Sequence, residues 1–316
     1  MTSTSPRHRP FTTVDVFTHQ PYQGNPLAVV QDATDLGAAQ MQAFAAWTNL
    51  SETAFLLPPT EAGRAQGADY RVRIFTPVEE LPFAGHPTLG SCHAWLAGGG
   101  QPLQAGCIVQ ECGKGLVPIR RDGRRLAFAA PATQIRPLTQ EQRAGITRAL
   151  GVEPGQILHA AALDNGPLWM TVVLDDPERL LALQPDHGLL KRLGYYVGTC
   201  ALYEHDFEPA ALIGRSSREA RAFATGQRQA AVQDEPRLEV RGFTSPAGIA
   251  EDPVTGSLNA SLAVWLRELG LLRAPYLASQ GQCVGRDGQI HVSEDEQGRL
   301  WIGGEVVDCV TGQVLL

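Results

Sequence analysis

Three ionisable side chains sit where their surroundings invite chemistry: Glu52, His86 and Asp252. Glu52 falls where a predicted helix gives way to the apolar strand Thr53-Ala54-Phe55-Leu56-Leu57. It is either a solvated loop carboxylate, as most glutamates are, or a general acid/base in a dry cleft. Burial and a second carboxylate such as Asp252 would then raise its pKa towards working pH. His86 and Asp252 each open a copy of one pattern, (His or Asp)-Pro-x-x-Gly-Ser. The copies are His86-Pro87-Thr88-Leu89-Gly90-Ser91 and Asp252-Pro253-Val254-Thr255-Gly256-Ser257. Proline suits the first turn of a helix, because the N–H it lacks would be unpaired there. The residue before it is pushed away from helical angles, so His86 and Asp252 are expected at the caps, just outside two helices. Asp is a favoured cap and needs no further explanation. His is not, and two ionisable groups at equivalent positions point to function. Ser91 and Ser257 read as first-turn hydroxyls bonded to backbone. Ser257, downstream of an acid, is also a candidate substrate contact.

A helix N-terminus offers free N–H groups and about half a positive charge, which favours a bound carboxylate or phosphate. Two such termini facing each other across a cleft would make a seat for an anionic substrate. The text around the two patterns repeats as well. Arg73-Ile74-Phe75-Thr76 stands upstream of the first and Arg241-Gly242-Phe243-Thr244 upstream of the second; Trp95-Leu96 and Trp265-Leu266 follow them. Asn165-Gly166-Pro167-Leu168 echoes Gly24-Asn25-Pro26-Leu27. A repeat of this length implies two homologous halves. Arg-x-Phe-Thr reads as the end of a strand. The helix after Ser257 is small or apolar nearly all round, so it is buried on most sides. The expected fold is therefore α+β, with each half a curved, mostly antiparallel sheet or barrel wrapped around a central helix. Residues 1–130 form the N-terminal half and 131–299 the C-terminal half, and 300–316 return to the first sheet.

In chain order, the pattern predicts strands over 11–17 and 27–30. A helix follows over 35–49, with Met41, Phe44, Ala45 and Trp47 on its buried side. A strand over 68–76 leads into a helix over 87–96, stopped by Gly98-Gly99-Gly100. Short strands follow around 107–112 and 126–129. Pro131–Pro137 reads as a linker. Thr139 and Gln142 form a capping box for a helix ending at Gly151. Strands are expected near 195–203 and 238–244, a hairpin turn at Arg286-Asp287-Gly288, and strand character over 300–316.

Composition sets the outer bounds. The chain has 316 residues, 43% hydrophobic and 19% charged, as in ordinary globular proteins. A net charge of -7 without Lys/Arg runs argues against a nucleic-acid partner. No apolar run reaches transmembrane length and no secretory leader is visible, so a cytoplasmic protein with a short disordered N-terminal tail is expected. The six cysteines lack C-x-x-C spacing and read as free thiols. Nucleotide fingerprints, H-E-x-x-H and G-x-S-x-G are missing, and the histidines make no tight ligand cluster, so neither cofactor nor metal is expected.

At these residues the sequence resembles the phenazine-biosynthesis isomerase family, with its diaminopimelate-epimerase-like fold. The matching pieces are Asp15-Val16-Phe17-Thr18, Gly24 to Val29, Ser51-Glu52-Thr53, Phe83 to Ser91, Glu251 to Ser257, and Gln280-Gly281 with Gly285-Arg286. They span nearly the whole chain in order. The resemblance implies a cofactor-independent isomerase and a homodimer. Glu52 would be the acid/base, with His86 and Asp252 as its catalytic companions, and Gly85, Gly256 and Ser257 would bind a small carboxylate-bearing substrate. Epimerase relatives carry a cysteine at the start of each central helix, where this chain has Gly85 and Asp252. Inverting a stereocentre normally needs two acid/base groups on opposite faces, whereas moving a proton along one face needs a single carboxylate. An epimerase using His86 and Asp252, or a non-catalytic binding protein on the same scaffold, are the alternatives.

Overall fold

The computed structural model describes residues 6–203 and 235–316. Among them, the strands follow one order twice. In the first half, Val306–Leu315, His8–Val16, Asn25–Val30, Thr53–Leu57, Tyr70–Phe75, Cys107–Cys112, Gly115–Asp122 and Arg125–Ala129 lie side by side. In the second, the order is Gln134–Pro137, Ile157–Asp164, Leu168–Leu174, Tyr196–Leu202, Pro236–Phe243, Tyr276–Gln280, Gly288–Glu294 and Leu300–Gly304. Each run is antiparallel except at the same two places, its third-to-fourth and fifth-to-sixth pairings. Leu300–Gly304 also pairs with Arg125–Ala129, which stitches the two sheets into one.

Each sheet curls around one helix. Gly85–Ala97 touches strands on every side of the first half, and Leu89, Cys92 and Ala94 are buried there. A Cβ on Gly90 would lie 2.6 Å from the Leu27 side chain, so this face of the helix has to stay bare. Gly256–Glu268 fills the second half, where Gly198 and Gly242 leave room for Leu258. Shorter helices cover the outer faces: Ala38–Thr48 on Phe55 and Phe75, and Gln140–Leu150, Pro177–Ala182 and His187–Leu193 on the second sheet. No helix among the described residues is long and apolar enough to cross a membrane.

The repeated Arg-x-Phe has a physical use. Side chains two apart on a strand share a face. Arg73 lies 5.1 Å over the Phe75 ring and Arg241 5.0 Å over Phe243. Each arginine then clasps a glutamate of the segment leading to its helix, Glu80 at 2.6 Å and Glu251 at 2.8 Å. Thr139 and Gln142 form the expected capping box, and Gly151 ends that helix in the left-handed region. All six cysteines are free.

Several expectations need correction. The first strand starts at His8, and Arg9 is buried, donating to the carbonyls of Asp32, Thr34 and Leu316. The expected disordered N-terminal tail can fall only on residues 1–5, which lie outside the described residues. Trp47 is 79% exposed rather than buried, because Phe44 beneath it already meets the core and Trp47 stacks on its outer side. The helix there begins at Ala38, after an extended Gly37. Part of the linker, Gln134–Pro137, pairs as a strand. The turn at Arg286 does join two antiparallel strands, but the connection is longer than expected and contains a helical turn at Gln282–Val284. Gly115–Asp122 and the helices over 177–193 carry no strong periodicity and escape the sequence reading.

Candidate active site

The two central helices meet head to head. The Cα of Gly256 lies 3.3 Å from where a Cβ of Gly85 would be, and the reverse distance is also 3.3 Å. Only glycine lets two helix starts come so close. Neither start is closed by a side-chain cap, since Ala84 has none to offer and the Thr255 hydroxyl is engaged elsewhere. The N–H groups of Gly85, His86, Gly256, Ser257 and Leu258 precede the first intrahelical bonds, which are donated by Thr88 and Asn259. Two positive helix ends thus share one spot.

His86 and Asp252 do not take the cap positions expected of them. The caps are Ala84 and Thr255. His86 is the second residue of its helix, and Pro87 is tolerated one place further on because its missing N–H is still one of the unpaired ones. Asp252 lies four residues upstream of its helix and is pinned by a bridge to Gly242. Ser91 is deep inside the first helix and its hydroxyl has no partner among the described residues, so it is not a backbone-bonded first-turn serine.

The structure does bring the three ionisable groups together. Glu52 Oε2 stands 3.6 Å from His86 Nε2, and both atoms are buried without a hydrogen-bond partner among the described residues. Burial raises the Glu52 pKa, with the Ser51 hydroxyl pulling the other way. Burial leads that rise, and the repulsion between the two carboxylates falls on Asp252. Burial also pushes the His86 pKa down to about 4, against the charge of Asp252 and the backbone of Pro26. His86 is therefore neutral at pH 7. Asp252 is pushed up to about 6, chiefly by burial and also by Glu52, while His86, Thr255 and Asn25 hold it down. Ser257 receives a hydrogen bond from Trp169 Nε1 at 3.2 Å on its hydroxyl oxygen, which leaves the hydroxyl proton free to donate. Asn165 donates to the Ser257 carbonyl at 2.8 Å.

Several groups of the site carry no signal in local sequence. Asn25, from the first half, donates 2.9 Å to Asp252 Oδ1, and Trp169 and Tyr196 form an aromatic wall with ring centres 5.6 Å apart. The repeated Pro-Leu text and the family-like piece Gly24 to Val29 were the pointers to Asn25. Tyr196 also has a place in the repeat. Thr53 pairs with Ala28 and Val197 with Met170 at the same step of the two sheets, and both side chains face the outer helices. Glu52 and Tyr196 precede them on the inner face, and are thus counterparts. The Tyr196 phenol pKa is raised by burial, then by Glu79 and Glu52, so it stays protonated.

The fold is α+β, two curled sheets each around one helix, with buried ionisable groups gathered where the two uncapped helix starts meet. The family model described as "Phenazine biosynthesis-like protein" matches residues 14–312, and the chain belongs to that family. It is 34% identical over 264 residues to trans-2,3-dihydro-3-hydroxyanthranilate isomerase of Pseudomonas aeruginosa, covering 82% of this chain and 80% of that one. It is 31% identical over 320 residues to "Antisense-enhancing sequence 1" of Schizosaccharomyces pombe, covering 96% and 97%. The crystal structure of a Bacillus anthracis phenazine biosynthesis protein of the PhzF family shares the fold, with a TM-score of 0.77 at 21% identity over 98% of this chain and 100% of that one. The chain is an enzyme of the isomerase class.

Proposed function

We propose that this enzyme moves a proton between two carbons on one face of a small, carboxylated, cyclic or unsaturated amino-acid-like metabolite, without a cofactor. Glu52 takes the proton from one carbon, the electron pair spreads through the adjoining unsaturation, and Glu52 returns the proton to a second carbon. A buried carboxylate with a raised pKa is a stronger base and a readier donor near neutral pH. The substrate carboxylate sits on the N–H groups at Gly85, Gly256 and Ser257, aided by the Ser257 hydroxyl. Neutral His86 and Asp252 orient the ring and balance the charge that develops.

The carrying observation is the chemical asymmetry of a symmetric site. The position that in one half holds Glu52 holds Tyr196 in the other, and a phenol with an upward-shifted pKa is a poor base at pH 7. Without a second base at the position opposite Glu52, transfer along one face is favoured over inversion. The activity of the Pseudomonas aeruginosa relative, isomerisation of trans-2,3-dihydro-3-hydroxyanthranilate, supports the cyclic class.

Candidate 2-amino acids and cyclohexadiene carboxylates are screened by ligand-induced thermal shift, and hits are turned over in heavy water. A moved double bond is expected. Deuterium at the stereocentre of an otherwise unchanged substrate would establish the epimerase instead, and a ligand bound without chemical change over long incubation would establish a binding protein. Glu52→Gln should lower turnover by roughly 10²- to 10⁴-fold with the fold intact; a fully active variant rejects the assignment.

A further inference from the structure

The polar groups behind Asp252 are ordered more strictly than a carboxylate at a lobe boundary requires. Gln280, buried at the end of the strand Tyr276–Gln280, uses both ends of its amide twice. Its Oε1 accepts from the Thr255 N–H at 3.0 Å and from Asn259 Nδ2 at 2.9 Å. Its Nε2 donates to the Asp252 carbonyl at 3.1 Å and to Thr255 Oγ1 at 2.9 Å. Two donors facing its oxygen and two acceptors facing its nitrogen fix the direction of the amide. Asn259 is fixed as well, because its Nδ2 also donates to the Thr255 carbonyl at 2.9 Å.

The consequence reaches the carboxylate through one hydroxyl. Thr255 Oγ1 accepts from Gln280, so its single proton is left for Asp252 Oδ2, 2.7 Å away. On the other side, Asn25 commits one amide hydrogen to the Val254 carbonyl at 2.8 Å and the other to Asp252 Oδ1 at 2.9 Å. Both carboxylate oxygens therefore face donors that have nowhere else to turn, which favours the ionised form.

We propose that Gln280 is a positioning residue: acting through the Thr255 hydroxyl, it holds Asp252 ionised and in one rotamer opposite Glu52. The proposal rests on the reading that Glu52 and Asp252 serve one substrate. The opposing influences on Asp252 are burial and Glu52, which favour the neutral form; His86 favours the charged one. Glu251, next in the chain, is paired with Arg241 at 2.8 Å and turned to the outer face. Asn25 and Gln280, from the flanking strands, are uncharged.

The test reads the titration of Asp252 directly, by carbon NMR of protein labelled in its aspartate carboxyls, with Asp252→Asn identifying the signal. Thr255→Val and Gln280→Met should each raise the Asp252 midpoint by about one pH unit, the worth of one hydrogen bond to a charged group. Thr255→Ser, which keeps the hydroxyl, should leave it near the wild-type value. The double variant should go no further than Thr255→Val alone, because the two residues act in series. The acid limb of kcat/KM should move with the midpoint. An unmoved midpoint with a lower melting temperature would show a purely structural role and overturn the proposal, as would additive shifts. Gln280→Met leaves two buried donors unpaired; if it does not fold, an unmoved midpoint in Thr255→Val is enough to overturn it. The midpoint is read without substrate, so its failure is separate from that of the reaction, which Glu52→Gln tests.

Discussion

Replacing Asp252 by Asn should make the protein more stable at neutral pH while it loses activity. The Asp252 pKa lies at about 6 in the folded chain against 3.8 ordinarily. A group whose folded-state pKa is raised adds stability below its unfolded pKa and loses it as pH rises through the folded value. Keeping Asp252 ionised at pH 7 thus costs roughly 3 kcal/mol from the distance between the two values. Part of that is not recoverable. Asp252 retains some solvent contact, and an Asn side chain presents an NH₂ to one of the two donors now on the carboxylate, losing about 1 kcal/mol. The expected net gain is roughly 1–2 kcal/mol, or about 2–3 °C in Tm for a chain of this length. The assay is a set of melting curves of wild type and variant from pH 3.5 to 8. The difference between them should be near zero or slightly negative at pH 3.5, grow between about pH 4 and 6, and stay flat above. A difference independent of pH, or a variant less stable at pH 8, would refute the reasoning.

Other perturbations follow from the same geometry. Gly256→Ala places a Cβ 3.3 Å from the Gly85 Cα and 3.4 Å from the His86 nitrogen, so the helix starts must part by a few tenths of an ångström. A fall in kcat/KM of at least about 10-fold is expected with only a small loss in Tm, since misplacement costs rate before it costs stability. Arg241→Met strands the buried Glu251 and frees the Leu180 and Leu183 carbonyls, and urea unfolding should register a loss of about 3–5 kcal/mol. Arg241→Met with Glu251→Met should recover part of it, because no uncompensated charge remains.

The repeat made much of this molecule legible. Two copies of Arg-x-Phe-Thr announced two sheets with a helix after each, because strand ends are set by local chemistry; the Pro-x-x-Gly-Ser copies marked the helices but not their starts, since the first lies inside its helix and the second straddles the beginning of its own. Glu52, His86 and Asp252 could be nominated for the same reason. Their distances could not, and neither could the caps, since proline permits more than one place in a first turn. Asn25 and Gln280 lay within the family-like pieces without showing their roles, because each acts on a residue far away in the chain: Asn25 meets Asp252 across the lobes, and Gln280 reaches Thr255 only once its strand is in register; Tyr196 lay in no such piece. Trp47 misled because periodicity marks a face as apolar without saying whether a larger neighbour already occupies the space.

The floor of the cleft is made of main chain, where Gly85 and Gly256 touch with no side chain between them. Such a floor cannot be retuned by point substitution, since any other residue there would pry the lobes apart. On the proposed reading, adaptation to a new metabolite is confined to the side chains around that floor, such as Trp169 and Tyr196.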